Sequence, residues 1–320
     1  MLLLYRLGIG FYALMAQLLA PFNTKARQFT QGRSNWKKQL PNFDNHDVAL
    51  FHCASLGEFE QARPVLEAFA QEFPDWKIVL SFFSPSGYEI RKNYPVAHFV
   101  TYLPLDTPEN AQYFVQTLKP KIALFVKYEF WYHTLKALHH SGCEVISFSA
   151  IFRKEQAFFK PYGGFMRQVL GFFNHLFVQD VESVKLLKSI SITNTTLAGD
   201  SRLDRVAAVA KEGKEFPEIE QFKGDSTLIM IGSAWPADTD LLLPVLLTQF
   251  PDWKVIIAPH ELHDGYLGKL EEQSLGKAIR YSDWKVSPKE GKQVLIINNI
   301  GMLAYFCLLY TSPSPRDRTR

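Results

Sequence analysis

Ser55-Leu56-Gly57-Glu58 is the stretch of this chain best suited to do chemistry. It follows the apolar run Val48-Ala49-Leu50-Phe51 and opens a helical pattern through Glu60, Ala62, Val65, Leu66 and Phe69. A carboxylate is thereby placed at a strand-to-helix turn on the carboxyl edge of a sheet, where open α/β sheets bind their ligands. There it can take a proton from a reacting hydroxyl. The same Ser-x-x-Glu spacing is also the capping-box pattern, in which Ser55 and Glu58 satisfy the helix's own free N–H groups and do no chemistry.

Three further stretches carry candidate residues. Lys127-Tyr128-Glu129-Phe130-Trp131 follows the apolar segment 122–126, so Glu129 projects at the same edge; the plain alternative is a helix-start glutamate held by the macrodipole. Ile231-Gly232-Ser233-Ala234-Trp235-Pro236 reads as a small-residue turn between a strand and a helix. Such a turn binds phosphate without a metal, although the full GxGxxG and Walker patterns are missing. Pro259-His260-Glu261-Leu262-His263 spaces its histidines three apart, not the four of HExxH. It reads as a loop facing a nucleotide and not as a zinc site, and the sequence calls for no metal or other cofactor.

The elements that must position these residues alternate with a period of about 30 residues, the size of a βαβ unit. Segments 48–51, 77–82, 98–102, 122–126, 144–148 and 175–178 are short, apolar and rich in Val, Ile and Phe, as buried parallel strands are. Ser84-Pro85 and Thr107-Pro108 mark helix starts, and Ser86 to Glu89 has the spacing of a second capping box. The charged stretch 203–224, broken at Gly213-Lys214-Glu215-Phe216-Pro217, reads as a boundary. Beyond it come strands at 227–231, 254–258, 278–281 and 294–297, helices at 237–249 and 261–274, and a further helix starting at Ile300 to Leu303. Phe73-Pro74-Asp75-Trp76-Lys77 and Phe250-Pro251-Asp252-Trp253-Lys254 match closely, each before the second strand of its half.

Composition bounds the rest. A chain of 320 residues with 47% hydrophobic content can build two packed domains and is not globally disordered. A net charge of +3 gives no argument for a nucleic-acid partner. Cys53, Cys143 and Cys307 form neither a disulfide framework nor a zinc spacing, which suits a reducing compartment. Residues 1–22 are nearly all apolar, interrupted by Arg6 and Gln17. They read as a retained membrane anchor, spanning or lying in the interface; a signal peptide and a core helix are the rival readings. Lys25, Arg27, Arg33, Lys37 and Lys38 follow, which puts the body of the protein on the cytoplasmic side. The last 14 residues match one translated frame of a common transposase-type sequencing adapter, so natural sequence is expected to end near Phe306 and its reading frame to continue past that point.

Together these segments resemble the bacterial transferases of 3-deoxy-D-manno-octulosonic acid (Kdo). The likeness rests on His52-Cys53-Ala54-Ser55-Leu56-Gly57-Glu58, similar to H-A-x-S-x-G-E, and on Ser84-Pro85-Ser86-Gly87, similar to T-P-T-G. It includes Tyr102-Leu103-Pro104-Leu105-Asp106, Glu129-Phe130-Trp131, Ala198-Gly199-Asp200 with Leu203-Asp204, and Ile231-Gly232-Ser233. Lys127 stands where the family has a first glutamate, and Pro259 to His263 where it has R-H-P-E-R. The resemblance implies an α/β, GT-B architecture of two Rossmann-like domains. The expected divisions are an anchor helix at 1–22, an acceptor domain at 23–204, a linker at 205–225, an incomplete donor domain at 226–306 and a non-native tail at 307–320. It implies an inverting, metal-independent glycosyltransferase that moves Kdo from CMP-Kdo to a lipid A precursor at the cytoplasmic face of the inner membrane. By position, Glu58 is the general base and Glu129 the second acidic residue. Ser55, Gly57, Ser84, Ser86 and Gly87 fall to the acceptor, and Gly232, Ser233 and His260 to the donor. The alternatives are another nucleotide-sugar enzyme of the same architecture, transferase or epimerase, and a non-catalytic membrane-anchored module whose glutamates only cap helices.

Overall fold

The computed structural model describes residues 1–212, 215–299 and 301–306. Gly213, Lys214, Ile300 and the tail expected at 307–320 lie outside the described residues. The chain forms two compact units, Met1–Arg205 and a second from Val206 onward.

The first unit is a parallel sheet of β1 (Val48–Cys53), β2 (Lys77–Phe82), β3 (Phe99–Tyr102), β4 (Ile122–Val126), β5 (Glu144–Ala150), β6 (His175–Val178) and β7 (Thr195–Leu197), in the order β3-β2-β1-β4-β5-β6-β7. The helices are α1 (Leu2–Leu19), α2 (Thr24–Gln31), α3 (Trp36–Gln39), α4 (Leu56–Glu72), α5 (Pro85–Arg91), α6 (Pro108–Leu118), α7 (Tyr132–His140), α8 (Gly164–Leu170), α9 (Val181–Ser189) and α10 (Arg202–Glu212), the last running across the division. Every residue of β1 is buried, as a central strand covered on both faces requires. Its residues alternate between two cores. Val48 and Leu50 pack with Phe125 and Leu135 on one face, whereas Ala49, Phe51 and Cys53 pack with Phe59 and Leu66 of α4 on the other. The strand order reverses between β1 and β4, which makes their carboxyl ends the switch point of the sheet.

The second unit holds β8 (Leu228–Ala234), β9 (Lys254–Pro259), β10 (Ala278–Arg280) and β11 (Val294–Ile296), all parallel, in the order β10-β11-β9-β8. Its helices are α11 (Pro217–Lys223), α12 (Pro236–Gln249), α13 (Asp264–Gln273), α14 (Tyr281–Val286) and α15 (Leu303–Phe306). The two Phe-Pro-Asp-Trp-Lys segments adopt one turn. Phe73 and Phe250 close α4 and α12 at φ/ψ of −124/67 and −130/59. The Trp76 and Trp253 amides then donate back to the Phe73 and Phe250 carbonyls at 3.2 and 3.1 Å.

Several elements differ from expectation, among them α10 and α11, which fill the stretch expected as a linker at 205–225. β7, at three residues, and α14, at six, are too short to stand out in the sequence. Helix α13 starts at Asp264, not at 261, because His263 caps it by accepting the Tyr266 amide at 3.0 Å. Ser86 opens no second capping box: it lies inside α5, whose cap is Ser84.

Helix α1 is docked along one side only. Leu2, Tyr5, Ile9, Ala13 and Ala16 form a half-buried stripe at helical spacing. Tyr5 donates its hydroxyl to Asp106 Oδ2 at 2.6 Å, and the Tyr12 ring lies 5.4 Å from Phe29 and 5.9 Å from Phe83. Asp106 is itself buried and accepts the His133 and Thr134 amides, each at 2.8 Å, which satisfies the free N-terminus of α7. The opposite side of α1 presents Leu3, Leu7, Phe11, Leu14 and Leu18 to the outside.

Candidate active site

Both glutamates singled out from sequence lie at the switch point. Glu58 sits in the first turn of α4 directly after β1, and Glu129 in the loop between β4 and α7. Burial pushes the Cys53 thiol well up, and the charges of Glu58 and Glu129 push it further, so both carboxylates bear on the end of β1.

The capping-box reading of Ser55 does not hold. Ser55 is the N-cap of α4 but makes no side-chain cap bond; its hydroxyl donates to Glu58 Oε2 instead. Glu58 is therefore oriented by a hydroxyl at the positive end of a 17-residue helix. Gly57 is exposed, and a Cβ there would meet only Ser55 Oγ at 3.7 Å, an ordinary contact.

Glu129 is held differently. It is not a helix-start residue, since α7 begins at Tyr132. Its Oε2 accepts the Trp131 indole N–H at 2.7 Å and faces His52 Nε2 at 2.9 Å. His52 is fully buried, and its Nδ1 lies 2.9 Å from Ser81 Oγ on the neighbouring strand. The Ser81 hydroxyl donates to the Phe51 carbonyl at 3.2 Å, so it accepts from Nδ1–H. His52 thus bridges Ser81 on one side of its ring and Glu129 on the other. The Trp131 ring stacks on Phe83 at 4.5 Å, which fixes the indole as donor. His52 and Ser81 were not assigned from sequence. Their signal was a lone polar residue inside each of two adjacent buried strands.

The loop after β2 supplies Ser84, Ser86 and Gly87. Ser84 Oγ accepts the Ser86 amide at 3.2 Å, and the two hydroxyls lie 2.9 Å apart. Gly87 is buried, and a Cβ would approach the Phe82 ring to 2.2 Å, so its glycine is required by packing. Behind this loop, Arg33 donates to the carbonyls of Leu103, Phe29 and Phe83 at 2.9, 3.2 and 2.6 Å. It is therefore a buried brace and not part of the surface basic cluster with Lys25, Arg27, Lys37 and Lys38.

The far side of the edge is tied down by Asp200. It accepts Gln61 Nε2 at 2.9 Å and Arg202 Nε at 2.8 Å. Burial opposes its charge, but the Arg202 and Gln61 hydrogen bonds prevail and hold its carboxyl below the usual range. Ser201 Oγ donates to the Gln61 carbonyl at 2.8 Å and lies 2.7 Å from Ser149 Oγ. Lys127 and Ser149, at the ends of β4 and β5, take left-handed φ values of 58 and 51°. Such strain concentrates at functional edges.

In the second unit, Gly232 and Ser233 are not a turn after the strand, as sequence suggested. They belong to β8, whose pairing with β9 shifts register there while Ser233 takes φ 52°. Both are exposed at the carboxyl end of the strand. Trp235, the N-cap of α12, stacks on His260 at 4.0 Å and 22°. The two histidines of the 259–263 loop thus have separate tasks, stacking and capping.

The family profile described as 3-deoxy-D-manno-octulosonic-acid transferase (kdotransferase) matches residues 26–205, the span that builds the first unit's sheet. The chain belongs to the kdotransferase family. Relatives include a 3-deoxy-D-manno-octulosonic acid transferase of Chlamydophila psittaci, 25% identical over 80% of this chain and 60% of that protein. One from Rickettsia bellii is 22% identical over 68% of this chain and 52% of its own. The kdotransferase chain thus spans between half and three fifths of the length of these relatives. Among solved structures, UDP-GlcNAc 2-epimerase of Neisseria meningitidis bound to UDP-GlcNAc has a TM-score of 0.54 at 14% identity, over 82% of this chain and 75% of that one. The S. aureus MnaA–UDP complex has 0.55 at 11%, over 82% and 71%. These likenesses show the fold: α/β, with parallel Rossmann-like sheets of the GT-B kind.

Proposed function

We propose that this chain serves transfer of Kdo from CMP-Kdo to a lipid A precursor, inverting and without a metal, at the cytoplasmic face of the inner membrane. In this reading Glu58 removes the proton from the acceptor hydroxyl as that oxygen attacks the anomeric carbon. Carrying this is the contrast between the two switch-point carboxylates. Glu129 is committed to His52 and Trp131, whereas among the described residues Glu58 is met only by the Ser55 hydroxyl on one oxygen. A base needs a free lone pair, and Glu58 has one; Glu129 is built to hold a shape or a charge. Ser55, Gly57, Ser84, Ser86 and Gly87 line the same edge and are assigned to the acceptor. CMP departs as a phosphate monoester anion, and the exposed Gly232–Ser233 backbone at the end of β8 is assigned to it, with His260 beside it.

The lipid acceptor requires work at a membrane surface, and α1 supports that placement. Its 18 residues are apolar enough to cross a bilayer, yet its docked stripe ties it lengthwise to the first unit. A helix held by Tyr5 and Tyr12 with its other side apolar lies in the interface more readily than it spans.

Glu58→Gln in the family-length protein tests the reading. Transfer from CMP-Kdo should fall by roughly 10²–10⁴-fold with an unchanged melting temperature. Near-normal turnover would overturn the base assignment.

A further inference from the structure

A cavity of about 380 Å³ lies beside α1, and neither Glu58 nor Glu129 lines it. Leu2 and Arg6 of α1, Gln112 and Gln116 of α6, and Lys136 and His140 of α7 line it, with His133, Ser141 and apolar Val115, Tyr132 and Ala137. Its wall carries two full cations, two imidazoles, two amides and the Ser141 and Tyr132 hydroxyls, and no carboxylate. Arg6 Nε donates to His133 Nε2 at 3.3 Å, which aims the guanidinium along this wall. His140 Nδ1 donates to the Lys136 carbonyl at 2.8 Å, and among the described residues its Nε2 meets no hydrogen-bond partner. Nothing in the proposed transfer reaction uses these groups.

We propose that this cavity binds the phosphodiester headgroup of an anionic membrane phospholipid, distinct from the acceptor. Three observations select that occupant. The lining is cationic and donor-rich, so it suits a phosphate and not a cation or a zwitterion's amine. The volume fits a phosphate with a small alcohol but not acyl chains. The lining also takes in Leu2 and Arg6 from the first turns of α1, where the neighbouring Leu3, Leu4 and Leu7 are exposed and give the chains an apolar surface to follow. Glu109, at the start of α6, lies close enough to Arg6 and His133 to feel their charges, but it is outside the lining. Asp106 also bears on His133, but its oxygens are taken by the Tyr5 and Thr134 hydroxyls and the His133 and Thr134 amides, which leaves Glu109 as the acid expected to compete for Arg6. Bound this way, the headgroup would pin the first turns of α1 to α6 and α7 and set the rotation of the helix about its axis. The proposal rests on the reading that α1 meets the membrane, and the test separates the two.

The test uses the intact chain with imidazole side-chain NMR, titrated with short-chain phosphatidylglycerol below its micelle concentration, the matching phosphatidylcholine, and inorganic phosphate. Saturable shifts of His133 and His140, without shifts of the distant His46 and His175, are expected with phosphatidylglycerol. Phosphatidylcholine should produce none, and inorganic phosphate should bind roughly tenfold more weakly. Lys136 is exposed, so Lys136→Glu should keep the fold and abolish the shifts, whereas Glu109→Gln should tighten binding. No shift, a shift shared by all histidines, or equal saturation by inorganic phosphate would overturn the lipid site. A parallel vesicle assay with Phe11→Asp reports on α1 alone. That variant should lose binding to neutral and anionic vesicles alike while the NMR titration with the soluble lipid persists; binding of wild type to neither vesicle would sink the membrane reading instead.

Discussion

His52 joins two partners of different character. Ser81 takes one ring nitrogen and Glu129 the other, both at 2.9 Å, and the ring itself is fully buried. Replacing it with alanine leaves a buried hydroxyl and a carboxylate without their partner and opens a void, a loss of roughly 3 kcal/mol in chemical denaturation. Trp131→Phe is the gentler probe. It keeps the stack on Phe83 but removes the N–H that fixes Glu129 Oε2. Stability should change by about 1 kcal/mol while the transfer rate falls at least tenfold; an unchanged rate would show that the position of Glu129 is unimportant to the reaction. Sequence made Glu58 and Glu129 visible because each follows an apolar run at a turn. It left His52 and Ser81 unassigned, because a lone polar residue inside a buried strand marks a position but names no partner until the neighbouring strand's register is known.

At the scale of elements, the ends of helices carry the design. Asp106 caps α7 through two amides and the Thr134 hydroxyl and receives Tyr5 from α1. Asp106→Ala should cost roughly 3 kcal/mol and free α1, read as faster amide exchange in residues 2–19; Tyr5→Phe should free α1 at about 1 kcal/mol. Asp200 gives a pH signature. Its folded-state proton affinity is depressed, so its contribution is complete above the unfolded value of about 4 and is lost as pH falls through the lower folded one. Asp200→Asn should therefore flatten the acid limb of the stability curve and leave the neutral region's slope unchanged. Strands were legible where both faces are buried, since Val, Ile and Phe then run uninterrupted. β7 was not, because two of its three residues are exposed and it is an edge strand. The bulge that takes Gly232 and Ser233 into β8 depends on pairing with β9, which local composition does not encode.

For the whole molecule, each of the four buried clusters lies within one unit. The repeated Phe-Pro-Asp-Trp-Lys turn shows the same helix-to-strand solution used in both. Residues 1–205 alone should therefore fold cooperatively, with a near-UV spectrum carrying the Trp36, Trp76 and Trp131 signals; a molten spectrum would contradict separate cores. The units divide after Arg205, within the charged stretch 203–224, where the sequence suggested a linker and the chain forms α10 and α11; the apolar helix was readable from its composition. That one side of this helix docks on the protein was not, because Tyr5 finds Asp106 and Tyr12 finds Phe29 and Phe83 only across tertiary structure.

The central claim is that Glu58 is the base, and a complex of the family-length protein with a lipid A precursor and an unreactive CMP-Kdo analogue tests it most directly. The account predicts a Glu58 carboxylate oxygen within about 2.6–3.2 Å of the attacking hydroxyl, with Glu129 still bound to His52 and Trp131. A hydroxyl seated against Glu129 and out of reach of Glu58 would contradict it.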